Sequence, residues 1–195
     1  METRNRSINS DMKKETINTV IRNRKSIYPK DYLKEDIPDS LIKEILINAN
    51  HAPTHRLTQP WFFKIYKNQS KQKLVDIVRK IDDSKLSKIK LNKFIQKINE
   101  SNVIISVFLN RDKKERLPKW EEIAAVSMSV QNMWLTCYVN NIGSYWSTPA
   151  FLKEYGDLVN LEENESSLGF FFMGVYHHKE SPKLRDDINS KIDWQ

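Results

Sequence analysis

Between a helical pattern and a strand-like run lies "HAPTHRLTQPW", from His51 to Trp61. It packs two imidazoles, a guanidinium, a carboxamide and an indole into one joint. His51 and His55 have a spacing that can ligate zinc when both sit on one helix. Pro53 breaks the helix between them, and no carboxylate or cysteine is near in sequence, so no metal is expected. His51 alone could cap the helix, and Gln59-Pro60-Trp61 fixes the entry to the strand. A second cluster, Arg22, Arg24, Lys25 and Ser26, closes the first helical pattern. Its cations and hydroxyl can chelate a phosphate or simply complement a helix C-terminus. A third, Tyr145 to Pro149, offers the flat face of Trp146 and the hydroxyls of Ser147 and Thr148. Taken together they supply a cationic grip, a polar joint and an aromatic wall. A flat phosphorylated ligand requires those three things.

Other chemistries find no footing. The four glycines, Gly143, Gly156, Gly169 and Gly174, form no G-x-G-x-x-G and no P-loop. A phosphate would therefore be held by side-chain cations or a helix N-terminus. There is no G-x-S-x-G and no H-E-x-x-H, and Cys137 falls inside an apolar helical pattern as a core residue. No catalytic side chain is expected. An enzyme with neither triad nor metal takes its reactivity from a cofactor.

The length of 195 residues suits one domain, 1–195, with a core at about 13–176 and an arm at 177–195. The net charge is +7, yet lysines are mixed with Asp and Glu along the chain. That reads as solvated helix faces attractive to small phosphorylated anions, with no nucleic-acid partner. The first twenty residues have no apolar signal region, and no run approaches the roughly 20 apolar residues of a membrane span. With one cysteine, the expectation is a cytoplasmic protein without a membrane partner.

The elements that must position these groups follow from periodicity. Helices are expected at 13–23, from a first turn containing Pro38 up to a stop at Pro53, at 70–81, at 87–99, at 118–141 and at 149–160. Leu41, Ile42, Ile45, Leu46 and Ala49 give the second helix one apolar face. Strands are expected at 61–67, 102–110 and 167–177, with 144–149 a short strand or turn after Gly143 ends the long helix. That long helix is apolar on most sides, which suits the middle of a fold or a large interface. The irregular alternation of elements argues for α+β.

"NRKS", "APTHRLTQPWFF", "LPKWEEIAAVSMSVQNMWLTCYVNNIG" with "YWST", and "SLGFFFMGV" together resemble the FMN-dependent nitroreductases, most of all their small single-domain NAD(P)H nitroreductase subgroup. The resemblance covers about residues 15–176. It implies a mixed or antiparallel sheet flanked by helices, and a homodimer closing on its long central helix around FMN. Arg24, Lys25 and Ser26 would hold the phosphate and ribityl end. His51 and His55 would lie against the flavin, His55 from across the interface. Trp146, Ser147 and Thr148 would contact the ring or ribityl portion, and Thr136 would sit near the nicotinamide. Lys183 and Arg185 of the arm could reach the phosphate. NADH or NADPH would reduce FMN, and a nitroaromatic, quinone or flavin would reoxidise it in a ping-pong scheme. The alternative is an FMN-binding protein with little turnover. Lys25 stands where the family pattern has a second arginine, Arg56-Leu57-Thr58 replaces a stretch that often carries asparagine, and Thr148-Pro149 is stiffer than the usual Ser-Gly.

Overall fold

The computed structural model describes residues 16–81, 87–177 and 185–195. The helix start expected at 13, residues 82–86 between the third and fourth expected helices, and Lys183 lie outside them. The first helix, α1, occupies 16–23. It is followed by α2 (Asp39–Asn50), β1 (Trp61–Lys67), α3 (Ser70–Arg79) and α4 (Lys88–Glu100). Then come β2 (Val103–Asn110), α5 (Lys119–Val139), β3 (Ile142–Ser147), α6 (Leu152–Leu158) and β4 (Glu165–Val175). The four strands form one sheet in the order β1-β2-β4-β3. Every neighbouring pair is antiparallel.

β2 is central and buried on both faces from Val103 to Leu109, which explains a stretch apolar but for Ser106, whose hydroxyl meets the Tyr155 hydroxyl at 2.8 Å. Its pleat divides two cores. Val103, Ile105, Val107 and Leu109 face Ile42, Ile45 and Ala49 of α2 and Val126, Val130 and Met133 of α5. Ile104 and Phe108 face the other way, toward Leu74 and Val78 of α3, Phe94 and Ile98 of α4, and Tyr155 of α6. Successive side chains of a strand point to opposite faces, so one strand holds together a three-layer helix–sheet–helix arrangement. Cys137 is wholly buried in the first core, where burial pushes its thiol up to about 12. It is a packing residue.

The long helix ends differently from the sequence expectation. It stops at Val139, and Asn141 turns the chain with a φ of 55°, a conformation asparagine tolerates better than most residues. Gly143 is not the stop. It lies inside β3 against Ile27, where a Cβ would come 2.8 Å from the Ile27 Cγ2. Its small size lets the segment after α1 lie on β3. The 144–149 stretch, left open as strand or turn, is strand as far as Ser147. Among the described residues no helix is long and apolar enough to cross a membrane.

Candidate functional site

The segment after α1 runs beside β3. The Ile27 amide donates to the Ser144 carbonyl at 3.1 Å. The Trp134 indole N–H of α5 donates to the same oxygen at 3.1 Å, which gives this large ring the partner a half-buried indole requires. Phe171 meets Trp134 edge-on at 5.9 Å. Over the fixed ring lies Arg24, its guanidinium carbon 4.5 Å from the centroid, within cation–π range. Burial, and then the charge of Arg185 on the C-terminal arm, hold Arg24 below its ordinary pKa. It stays protonated at any physiological pH. Lys25 is half-buried and Ser26 exposed. So a cation is pinned at the β3 edge and a second cation from the far end of the chain faces it. Among the described residues no cluster could hold a metal ion.

β3 carries the aromatic wall. Opposite its end, the β2–β4 register shifts between Val107 and Phe108, whose partners are Gly169 and Ser167. Leu168 is thus the extra residue of a β-bulge, a device that re-aims side chains at strand ends. Gly169 adopts a φ of +120°, open to glycine and rarely to other residues. A Cβ there would lie 2.4 Å from the Ser147 carbonyl oxygen and 2.9 Å from the Trp146 indole nitrogen. The bulge therefore makes room for Trp146. The Trp146 Nε1 is buried and has no hydrogen-bond partner among the described residues. A buried donor left unmade costs about 1–3 kcal/mol, so this N–H suits an acceptor on a ligand. Ser147 is half-buried and Thr148 exposed.

The histidine joint lies elsewhere on the chain. His51 is the exposed C-cap of α2. His55 Nδ1 sits 2.8 Å from Glu121 Oε2 in the first turn of α5. The loop between them and β1 is strained: Arg56, Leu57 and Gln59 have φ of 52°, 51° and 44°, and each left-handed non-glycine residue costs about 1–2 kcal/mol. Thr54 Oγ1 accepts from the Gln59 amide at 3.1 Å and pairs with Thr58 Oγ1 at 3.2 Å, which holds the loop. Trp61 Nε1 donates to Asn50 Oδ1 at 2.9 Å and ties β1 to the end of α2.

The structure thus gathers Arg24, Lys25, Ser26, Trp146, Ser147 and Thr148 around β3, but does not bring His55 to them. Glu121, which holds His55, and Trp134, which carries Arg24, are on one helix, and at 1.5 Å per residue they are roughly 20 Å apart along its axis. Thr136 is buried, its Oγ1 accepting from Asn48 Nδ2 at 3.0 Å and donating to the Asn132 carbonyl at 2.8 Å. Its hydroxyl joins α2 to α5.

A model of the nitroreductase family matches residues 21–175. The chain belongs to the nitroreductase family. The Bacillus subtilis (strain 168) protein named "Putative NAD(P)H nitroreductase YfhC" is 26% identical over 179 residues, 89% of this chain and 91% of the relative. Among solved structures, a nitroreductase-like family protein from Bacillus cereus superposes with a TM-score of 0.77 at 24% identity, over 92% of this chain and 95% of that one. A structure from Desulfovibrio desulfuricans titled as a nitroreductase in complex with FMN gives 0.71 at 21% identity, over 92% and 96%. These likenesses establish the nitroreductase fold. The family match takes in Arg24, both histidines of the joint and Trp146, and it ends before the arm that bears Arg185.

Three residues that shape these candidate clusters were not legible as such in the sequence. Trp134 reads there as one apolar position among several, although a buried indole N–H usually finds an acceptor. Glu121 is 66 residues from His55. Gly169 carries no local turn signal, since the bulge depends on the partner strand.

Proposed function

We propose that this chain is an FMN-dependent oxidoreductase that takes hydride from NADH or NADPH and passes it to a small acceptor such as a nitroaromatic, a quinone or a flavin, by a ping-pong scheme, in the cytoplasm. Two observations carry this reading: the Arg24 guanidinium is pinned over Trp134, whose indole N–H holds the Ser144 carbonyl of β3, and two residues further along that strand the buried Trp146 N–H lacks a partner among the described residues. The residues fit the cofactor: a cation for a phosphate, a flat wall for a ring, and a donor for a ring or ribityl oxygen. The FMN-bound relative and the nicotinamide-dependent names of similar chains support the choice of cofactor and donor.

In this reading Arg24, Lys25 and Ser26 hold the phosphate and ribityl end, with Arg185 closing on it from the arm. Trp146, Ser147 and Thr148 form the wall. When bound, FMN would supply the atom that accepts and returns the hydride. The chain's own residues orient the two partners in turn and stabilise negative charge near the ring. Thr136 shapes the nicotinamide side through its place between α2 and α5, because its hydroxyl is already committed.

The site requires two copies. His51 and His55 belong to the histidine joint, and the α5 residues that hold His55 and Arg24, Glu121 and Trp134, lie roughly 20 Å apart along the helix axis. On α5, Trp120, Met128 and Val139 are 68%, 39% and 55% exposed in the single chain, an apolar surface suited to a partner helix. A homodimer in which the joint of one copy faces the β3 edge of the other gathers all three clusters. Light scattering with an FMN titration tests this. The expected result is a dimer binding one FMN per chain, whereas a monomer that takes up no FMN would overturn it.

A further inference from the structure

His55 and Glu121 form a pair that stability does not explain. The side chains are 59% and 26% exposed, and an exposed ion pair contributes little to folding. The loop carrying His55 holds three non-glycine residues at positive φ, and strain of that kind tends to persist where function needs it. Leu57 in the same loop and Trp120, next to Glu121, are 79% and 68% exposed, so large apolar groups accompany the pair. We propose that Glu121 is a positioning residue that aims the His55 imidazole, through the 2.8 Å contact with Nδ1, so that Nε2 delivers a proton to the acceptor during its reduction.

The chemistry follows from which nitrogen is engaged. A carboxylate accepts hydrogen bonds and does not donate them, so Nδ1 carries its proton in both the neutral and the charged ring. The mobile proton is then the one on Nε2. The inference rests on the flavin reading above, in which this joint faces the ring of the other copy. A quinone that takes a hydride becomes a hydroquinone monoanion, and one proton completes it. A nitro group that takes a hydride and one proton gives a nitroso group and water. In both cases the imidazolium Nε2–H is the proton source, and the neutral ring regains its proton from water. Hydride uptake from NAD(P)H needs no such proton, so the two half-reactions should respond differently.

The test uses FMN-loaded protein and the two half-reactions measured separately by anaerobic stopped flow, with benzoquinone as acceptor. In Glu121→Ala and in His55→Gln, reduction of benzoquinone should slow about tenfold or more, within the range of general acid catalysis. Reduction of bound FMN by NADH should slow by a clearly smaller factor than reduction of benzoquinone. Glu121→Gln, whose amide oxygen still accepts from Nδ1, should recover most of the rate, and combining Glu121→Ala with His55→Gln should slow it no further than either alone. A readout without cofactor is nitrogen-15 NMR of the His55 ring in the apo chain. It should show Nδ1 protonated in wild type and Glu121→Gln, and a tautomer mixture in Glu121→Ala. If Glu121→Ala does not fold, His55→Gln and Glu121→Gln carry the same comparison. Normal FMN binding with both half-reactions unchanged, or both slowed equally, overturns the proton-delivery role alone. A wild-type chain that binds no FMN overturns it together with the proposed function.

Discussion

Replacing Gly169 with alanine puts a methyl group 2.4 Å from the Ser147 carbonyl oxygen and 2.9 Å from the Trp146 indole nitrogen. The oxygen belongs to backbone at the end of the β3–β4 ladder, where Ser147 is registered with Phe170, so it cannot rotate away as a side chain would. Two costs combine. A side chain held at a φ of +120° costs about 1–3 kcal/mol. Forcing a methyl into an occupied space costs about 1–3 kcal/mol more. Together they amount to about 2–6 kcal/mol. In a chain of this length each kcal/mol lowers the melting midpoint by about 2–4 °C, so Gly169→Ala should melt roughly 5–20 °C below wild type. Because the strain falls on Trp146, FMN affinity should fall as well. Thermal melting followed by circular dichroism, with and without FMN, measures both. Gly156→Ala is the control: its Cβ would meet only the Leu161 side chain, at 3.2 Å, and the midpoint should shift far less. A Gly169→Ala chain that melts within about 2 °C of wild type and binds FMN equally well would refute the bulge as the feature that seats Trp146.

Arg24→Ala should weaken FMN binding about 10–100-fold, the worth of a hydrogen bond to a charged group, with the fold retained; unchanged affinity by fluorescence titration would refute the proposed phosphate role of Arg24. Glu122 is fully buried against Arg111, its Oε2 3.1 Å from Nε, and its Oε1 accepts from the Asp112 amide at 2.8 Å. Glu122→Ala should therefore cost about 3–5 kcal/mol in denaturant unfolding, and a loss below about 1 kcal/mol would contradict that placement. Burial raises the Cys137 thiol and the Tyr145 hydroxyl to about 12 each. Both hold their protons more tightly folded than unfolded, so their share of stability is intact below about pH 8.5 for Cys137 and about pH 10 for Tyr145. It is lost progressively as pH rises toward 12. Urea midpoints should drop between about pH 8 and pH 11, and a flat profile would contradict the burial of these groups.

Local patterns carried most of the architecture. The apolar run of β2, the helical face of α2 and the span of β1 are properties of neighbouring residues, and the structure reproduces them. What local pattern could not convey is which distant groups meet. Gly143 suggests a helix stop because glycine usually ends helices, yet its small size serves the packing of Ile27. Trp134 joins the Arg24 cluster only because Ser144 and Arg24 meet its indole from two other segments. His55 gains its carboxylate from a helix far along the chain. Contacts across large sequence separation leave no periodic trace, and sites assembled from several segments depend on them.

The most direct measurement is the visible spectrum of the FMN-reconstituted protein under anaerobic conditions, before and after NADH or NADPH is added. The expected result is yellow protein whose flavin absorbance bleaches with at least one of the two nicotinamides and returns when a quinone is added. Colourless protein that refuses added FMN, or yellow protein that neither nicotinamide bleaches, would contradict it.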